Sequence, residues 1–447
     1  MPERELAAWA AELARGADLP ERVLVRAAHI LVDDLAAVIG SRAEPEVAAV
    51  AALARRRGPV PEATVVADAP VRAERGWAAF ANGVAASWLE LDEGYRRATC
   101  HGGLYAVPAA LAECEAEDAT LGRLLTAIVA GYEVATRVAR GYPAPRPPVL
   151  HPHATLAPLG AATAVAAARG FGPDRFADTL TSAVTLGMAG PFGYATSGAL
   201  VRNAWAGLGA WTGIAAADLA AAGIGGAPGG VAAVFADALG HAAEPDELTA
   251  GLGDRYAVED GYHKLYACCQ YAHSAVEAAL GLGAVDAGAV AEVRVETHPL
   301  ALTLDGAAPE NVLAGKFSVP HAVAAVLVTG SVAPEVFSGA LLHDERVAAV
   351  RERVRLEPHP SVGAPPEDRP ARVSVRLADG SVRTAEVRSA RGGPDRPLTS
   401  DDVRAKAKAL TEARHPGFAE AASGLLAGPD LERPVRDVLG RLLEVAA

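Results

Sequence analysis

Residues 264–279 read KLYACCQYAHSAVEAA: a lysine, a tyrosine, two adjacent cysteines and a histidine run at once into an alanine-rich helical pattern. Groups with tunable pKa values therefore stand at the mouth of a buried helix, a common placing for chemistry. The cysteines do not point to zinc, because the chain offers no C-x-x-C pair with a second pair. Taken alone, the stretch is a tight turn into a core helix, with Cys268 and Cys269 as small buried hydrophobes.

The same stretch marks a change of texture. Upstream, Leu6, Trp9 and Leu13, then Val23, Ala27, Ile30, Leu31, Leu35 and Val38, fall at helical spacing. Further helices are expected over Gly76 to Leu89, Val107 to Ala116 and Leu121 to Arg140, with a short extended excursion at Ala63 to Pro70. Gly207 and Gly209 lie inside a helical pattern and cost stability there unless close packing requires them. Downstream, Val290 to Thr297 (VAEVRVET) alternates like a strand, and a helix is expected over Lys316 to Val328. Arg372 to Leu377 and Val382 to Val387 flank Asp379-Gly380 as a hairpin would. From Ser400 the pattern is helical to the end, with Asp401 and Asp402 in a first turn that suits negative charge. The expected fold is mainly α: a large all-helical domain of residues 1–265 plus 396–447, and a smaller α+β domain of residues 266–395.

Composition bounds the function. At 447 residues two domains are the natural expectation, and 51% apolar residues with only 5% aromatics imply a core of Ala, Val and Leu. A net charge of -13 argues against nucleic acid as partner, although a local basic pocket can still take an anionic substrate. The N-terminus, MPERELAAWAAELAR, lacks the apolar run of a signal peptide, and no stretch suits a membrane span. Four cysteines make no disulfide framework, so a reducing cytoplasm is expected.

Two polar loops stand out. LELDEGYRRATCHGG (89–103) carries Glu90, Asp92 and Glu93 ahead of His101 and two glycines, between apolar helices. Such a loop is either a place for function or a solvated connection. HPHATLAPLG (151–160) offers His151 and His153, a spacing open to metal, but no H-E-x-x-H-like motif supports one. His151 and His321 would otherwise be helix caps, Arg202 an ion-pair partner, and His273 with Glu277 a structural pair one helical turn apart. Gly223 to Gly230 lacks the context of a nucleotide loop.

Six pieces in this order resemble the MmgE/PrpD family, which includes 2-methylcitrate dehydratase, cis-aconitate decarboxylase and iminodisuccinate epimerase. They are NGVAASWLELDE, CHGGLYAVPAALAECEAEDATLGRLLTAIVAGYEVATRVA, HPHATLAPLGAATAVAAARG, KLYACCQYAHSAVEAAL, FSVPHAVAAVLVTGSV, and VSVRLADGSV with GPDRPLTSDDVRAKAKAL. The resemblance implies a helical domain with a smaller α+β lid domain, a homodimer, and no metal or other cofactor. It places the family's catalytic histidine on His101, its loop carboxylates on Glu90 and Asp92, its second histidine on His151 rather than His153, and its lysine on Lys264. Arg202 stands where the family has a lysine, Trp205 and Ser87 where it has histidines, and His321 where it has a tyrosine.

The implied activity is that of a lyase on a small di- or tricarboxylate, dehydrating a hydroxy acid by proton abstraction next to a carboxylate. Isomerase, epimerase and decarboxylase chemistry on a related acid are the alternatives, as is a paralogue that binds an acid without turning it over. His101, His151, Lys264 and Asp92 are the expected catalytic residues; Arg202, His321 and Glu90 are expected to bind substrate. Which histidine is acid and which base is open. Alanine at His101 or Lys264 is expected to abolish turnover with little change in the thermal melt.

Overall fold

The computed structural model describes residues 1–16 and 18–444. Alanine and glycine set its architecture. The helices Gly102–Ala116, Leu121–Gly141, Ala157–Ala168 and Trp205–Ala221 pack with small residues at their contacts. A Cβ on Gly209 would fall 2.4 Å from that of Ala157, and one on Gly213 would fall 2.4 Å from that of Ala161. Close approach of two backbones thus explains the glycines that propensity alone disfavours in this helix.

This helical part buries Leu6, Ile30, Tyr105 and Tyr132 in one core, and Val403, Phe418 and Leu439 from the C-terminal helices join the same core. The Ser400–Thr411 helix opens on a reciprocal cap between Thr399 and Asp402 and packs against Glu21–Gly40. The expected helix to the chain end is broken into shorter pieces up to Val435–Leu442, and its last three residues, 445–447, lie outside the described residues.

Two small antiparallel ribbons interrupt the helices. Ala63–Val65 pairs with Val71–Ala73, and Gly94–Tyr95 pairs with Gly261–Tyr262. The second ribbon matters most, because it ties the acidic loop to the segment that leads into Lys264.

A second core holds the smaller α+β domain. Its four strands run in the order Val354–Pro358, Val290–Thr297, Ala371–Leu377, Val382–Val387. The first pair is parallel and the others antiparallel, and the expected hairpin turns at Gly380, whose φ of 86° suits glycine. Val293, Val295, Val373 and Val375 point into the core beneath the His273–Leu282 and Val319–Thr329 helices. The parallel strand Val354–Pro358 was not expected: only Val354 and Leu356 alternate inward, and charged residues and a proline fill the rest. The expected Lys316 to Val328 helix is in fact two, Val312–Lys316 and Val319–Thr329, divided at Phe317 and capped anew by Ser318. Among the described residues no helix is long and apolar enough to cross a membrane.

Candidate active site

The Arg75–Trp88 helix ends at Leu89, and the next residue, Glu90, takes a φ of 57°. A non-glycine residue there is strained and persists only when its surroundings hold it. What holds Glu90 is charge: its buried carboxylate bonds to Arg202 Nη1 and, at 3.3 Å, to Lys264 Nζ. Lys264, wholly buried, also reaches Asp92 Oδ1 at 3.1 Å. The ribbon between Gly94–Tyr95 and Gly261–Tyr262 sets this register, since it lies two residues from each member of the Asp92–Lys264 pair.

His101 precedes the Gly102–Ala116 helix. Gly102 and Gly103 follow because a Cβ would strike the Tyr132 ring at 2.6 Å and Ile30 at 2.4 Å. His101 Nδ1 lies 2.6 Å from Asp92 Oδ2 and 2.9 Å from the Glu93 carbonyl. Both partners are acceptors, so Nδ1 carries a proton and is committed to them. Glu93 itself is a structural pin, accepting from Gly103 N at 2.6 Å and from the Tyr132 hydroxyl at 3.0 Å. Burial and then Asp34 push its carboxyl well above the usual range.

His151 caps the Pro152–Thr155 turn, with Nδ1 accepting from the His153 backbone N–H at 3.2 Å. Its Nε2 lies 3.3 Å from Arg202 Nε, and Phe192 stacks on the ring. Burial, reinforced by Arg202, His101 and Lys264, holds the His151 pKa well below its ordinary value, so the ring is neutral at pH 7. Burial would raise Asp92 and Glu90 as well. Lys264 with His101 outweighs it at Asp92, and Arg202 with Lys264 outweighs it at Glu90, so both carboxyls stay ionised. Lys264 is held protonated: burial lowers its pKa, but Asp92 and Glu90 raise it further. Two cations thus face two carboxylates in a buried site.

This arrangement corrects one expectation. Lys264→Ala leaves Glu90 and Asp92 short of a buried partner, a change that costs about 3–5 kcal/mol. The variant is expected to unfold at clearly lower urea than the parent, read by circular dichroism; an unchanged midpoint contradicts the buried-pair account.

The side chains of Glu90, His101, His151, Arg202 and Lys264 line one hollow of about 30 Å³, room for about two waters. Asp92 stands directly behind His101 and Lys264. His321 is elsewhere: it is buried against Arg351, 3.2 Å from its Nη1, and does not line the hollow. His273 and Glu277 do not pair, the first bonding Tyr262 and the second Arg396. The α+β domain closes the hollow with Gln270, Tyr271 and Phe317, and the Tyr271 hydroxyl meets Thr99 at 2.9 Å. Thr99 and Pro152 also border a neighbouring cavity of about 270 Å³ that carries Arg97, Arg140 and Arg146.

The chain matches the MmgE/PrpD N-terminal domain over residues 4–248 and the MmgE/PrpD C-terminal domain over residues 266–423. The chain belongs to the MmgE/PrpD family. This family includes dehydratases and related enzymes. No match was found among curated proteins.

Against the MmgE/PrpD pattern, the replaced residues have visible roles. Ser87 donates to the Asn203 carbonyl at 2.8 Å and is fully buried. Trp205 sits 5.7 Å from the His151 ring, and its bulk requires Gly190, where a Cβ would fall 2.6 Å from it. Arg202 lies over Phe317 at 5.0 Å. His153, which the family resemblance passes over in favour of His151, also stands at the site. It packs its ring 4.6 Å from His101 and 4.4 Å from His151, bonds the Tyr105 hydroxyl at 2.9 Å, and has no partner for Nε2 among the described residues. Asp92, His101 and His153 bring potential metal-ligand atoms within 4.8 Å of one another. The Lys264 ammonium on Asp92 opposes a cation there.

Proposed function

We propose that this MmgE/PrpD protein is a cofactor-independent lyase that dehydrates a small hydroxy di- or tricarboxylate. The observation that carries the reading is His101. Its Nδ1 is committed to two acceptors, so Nε2 is a base inside a hollow that also holds a lysine and an arginine. In the proposed step Nε2 takes the proton next to a substrate carboxylate. The C–H electrons pass into the carboxylate as an enolate, whose added negative charge Lys264 and Arg202 stabilise. A C=C bond then forms as the neighbouring C–O bond breaks. Substrate charge offsets the cations that depress His151, so its ring can take a proton and hand it to the departing hydroxide as water.

Substrate acid oxygens compete with Glu90 for both cations, which fits a loop held in strain until ligand arrives. A hollow of about 30 Å³ has to widen first, and residues 266–395 act as the lid that moves. A homodimer is supported by the apolar side chains left exposed at Tyr194, Val201, Trp211 and Ile224. Four free buried cysteines fit a reducing, cytoplasmic setting.

Incubation with a panel of hydroxy and unsaturated polycarboxylates in D₂O, read by mass and proton NMR, tests the reaction. Loss of water with the unsaturated acid as product is expected. Deuterium incorporation without loss of water means isomerase chemistry, loss of CO₂ a decarboxylase, and no change with any acid a binding protein.

A further inference from the structure

Away from the catalytic hollow, the Pro45–Arg57 helix and the Ala63–Val65/Val71–Ala73 ribbon enclose a groove of about 460 Å³. That volume lies within the range of small-molecule sites, about 300–1,000 Å³. Its floor is apolar, formed by Val47, Ala51, Val66 and Val71. Its charge is not balanced. Arg42, Arg55 and Arg56 line it against one carboxylate, Asp68, and Arg414 already takes Asp68 at 3.3 Å.

Arg42 is the unusual member. It is 6% exposed, and its Nε and Nη2 are buried without a hydrogen bond among the described residues. Those two nitrogens form one edge of the guanidinium, the fork that grips a carboxylate through two parallel bonds. A buried guanidinium with an empty fork is costly, and burial draws the Arg42 pKa down to about 10. Among protein groups nearby, the acid that would satisfy it is engaged elsewhere.

We propose that this groove is a second ligand site, for an amphipathic carboxylate whose acid group enters the Arg42 fork and whose unbranched apolar tail lies along the Pro45–Arg57 helix. Arg55 and Arg56, both exposed, draw the anion in; the alanines of the helix leave room for the tail. The site shares no lining residue with the catalytic hollow, so it stands or falls separately from the proposed lyase activity.

Isothermal titration of the full chain with octanoate, and with octanamide as the uncharged counterpart, tests it. Octanoate is expected to bind once per chain with Kd below about 1 mM, and octanamide at least tenfold more weakly. Arg42→Gln should weaken octanoate at least tenfold. Should that variant fail to fold, the exposed pair Arg55→Gln/Arg56→Gln and the groove-filling Ala52→Trp serve instead, and each should weaken octanoate severalfold. No heat with octanoate, equal binding of the amide, or variants that bind like the parent would overturn the proposal. So would displacement of octanoate by a tricarboxylate, which puts it in the catalytic hollow. Conversion of a dimer to a monomer by Ala52→Trp also overturns it, because the groove then belongs to a second copy of the chain.

Discussion

His101→Ala is expected to lower kcat/KM on the acid found by the panel by about 10²–10⁴-fold, the usual worth of a positioned general base. The melt should barely move. His101 is partly exposed, and Asp92 keeps Lys264 as its buried partner when the imidazole is gone. That split separates His101 from Lys264, whose removal strikes both activity and stability. Asp92→Asn sharpens the test. The amide no longer demands a proton on Nδ1, so the imidazole can adopt the wrong tautomer, and activity should fall while His101 stays in place. Full activity in His101→Ala sinks the assignment of the base, whatever the substrate proves to be.

Much of this site could be read from the sequence because its carriers are close in the chain or stand in patterned stretches. Glu90, Asp92 and His101 lie within twelve residues of one loop, and Lys264 opens the stretch that joins the two cores. The glycines inside Trp205–Ala221 stand out in the sequence as costly, and the fold supplies the reason in Ala157, as Tyr132 and Ile30 do for the two after His101.

What escaped depended on long-range partners. His321 carries the right chemistry at a helix start, but that helix turns it toward Arg351. Thr99 and Tyr271 are ordinary residues in sequence, and they become lining only when the two domains meet. Glu93 looks like its neighbour Asp92, yet Gly103 and Tyr132 bind it away from the hollow. Val354–Pro358 is a strand because Val290–Thr297 offers it an edge, with little local preference of its own.

The second large effect concerns pH and comes from histidines that never meet substrate as well as those that do. Burial holds His29 and His321 down to about 4 and His273 and His298 down to about 3, and it takes His151 and His153 well below their ordinary value. Between about pH 4.5 and 6.5 the unfolded chain protonates all six, near its unperturbed histidine pKa, while the folded chain does not. Their contribution is therefore present above 6.5 and is lost as pH falls. Three carboxyls act in the opposite sense. Burial raises Asp34 and Glu93 well above the usual carboxyl range and shifts Glu133 in the same direction against its Arg137 partner, and a carboxyl that keeps its proton when folded releases it on unfolding in this window. The histidines outnumber these carboxyls, so unfolding takes up protons on balance toward the acid end of this window and stability falls with pH. Whole domains are worth only about 5–15 kcal/mol, so a loss shared by six rings is expected to lower the unfolding midpoint clearly by pH 5. Both parts of the chain share the loss, since His29, His151 and His153 belong to the helical part and His273, His298 and His321 to the smaller domain. Urea midpoints followed by circular dichroism at pH 7, 6 and 5 should fall steeply and together for both parts. A midpoint that holds level or rises toward pH 5 would mean that these rings are already charged in the folded protein.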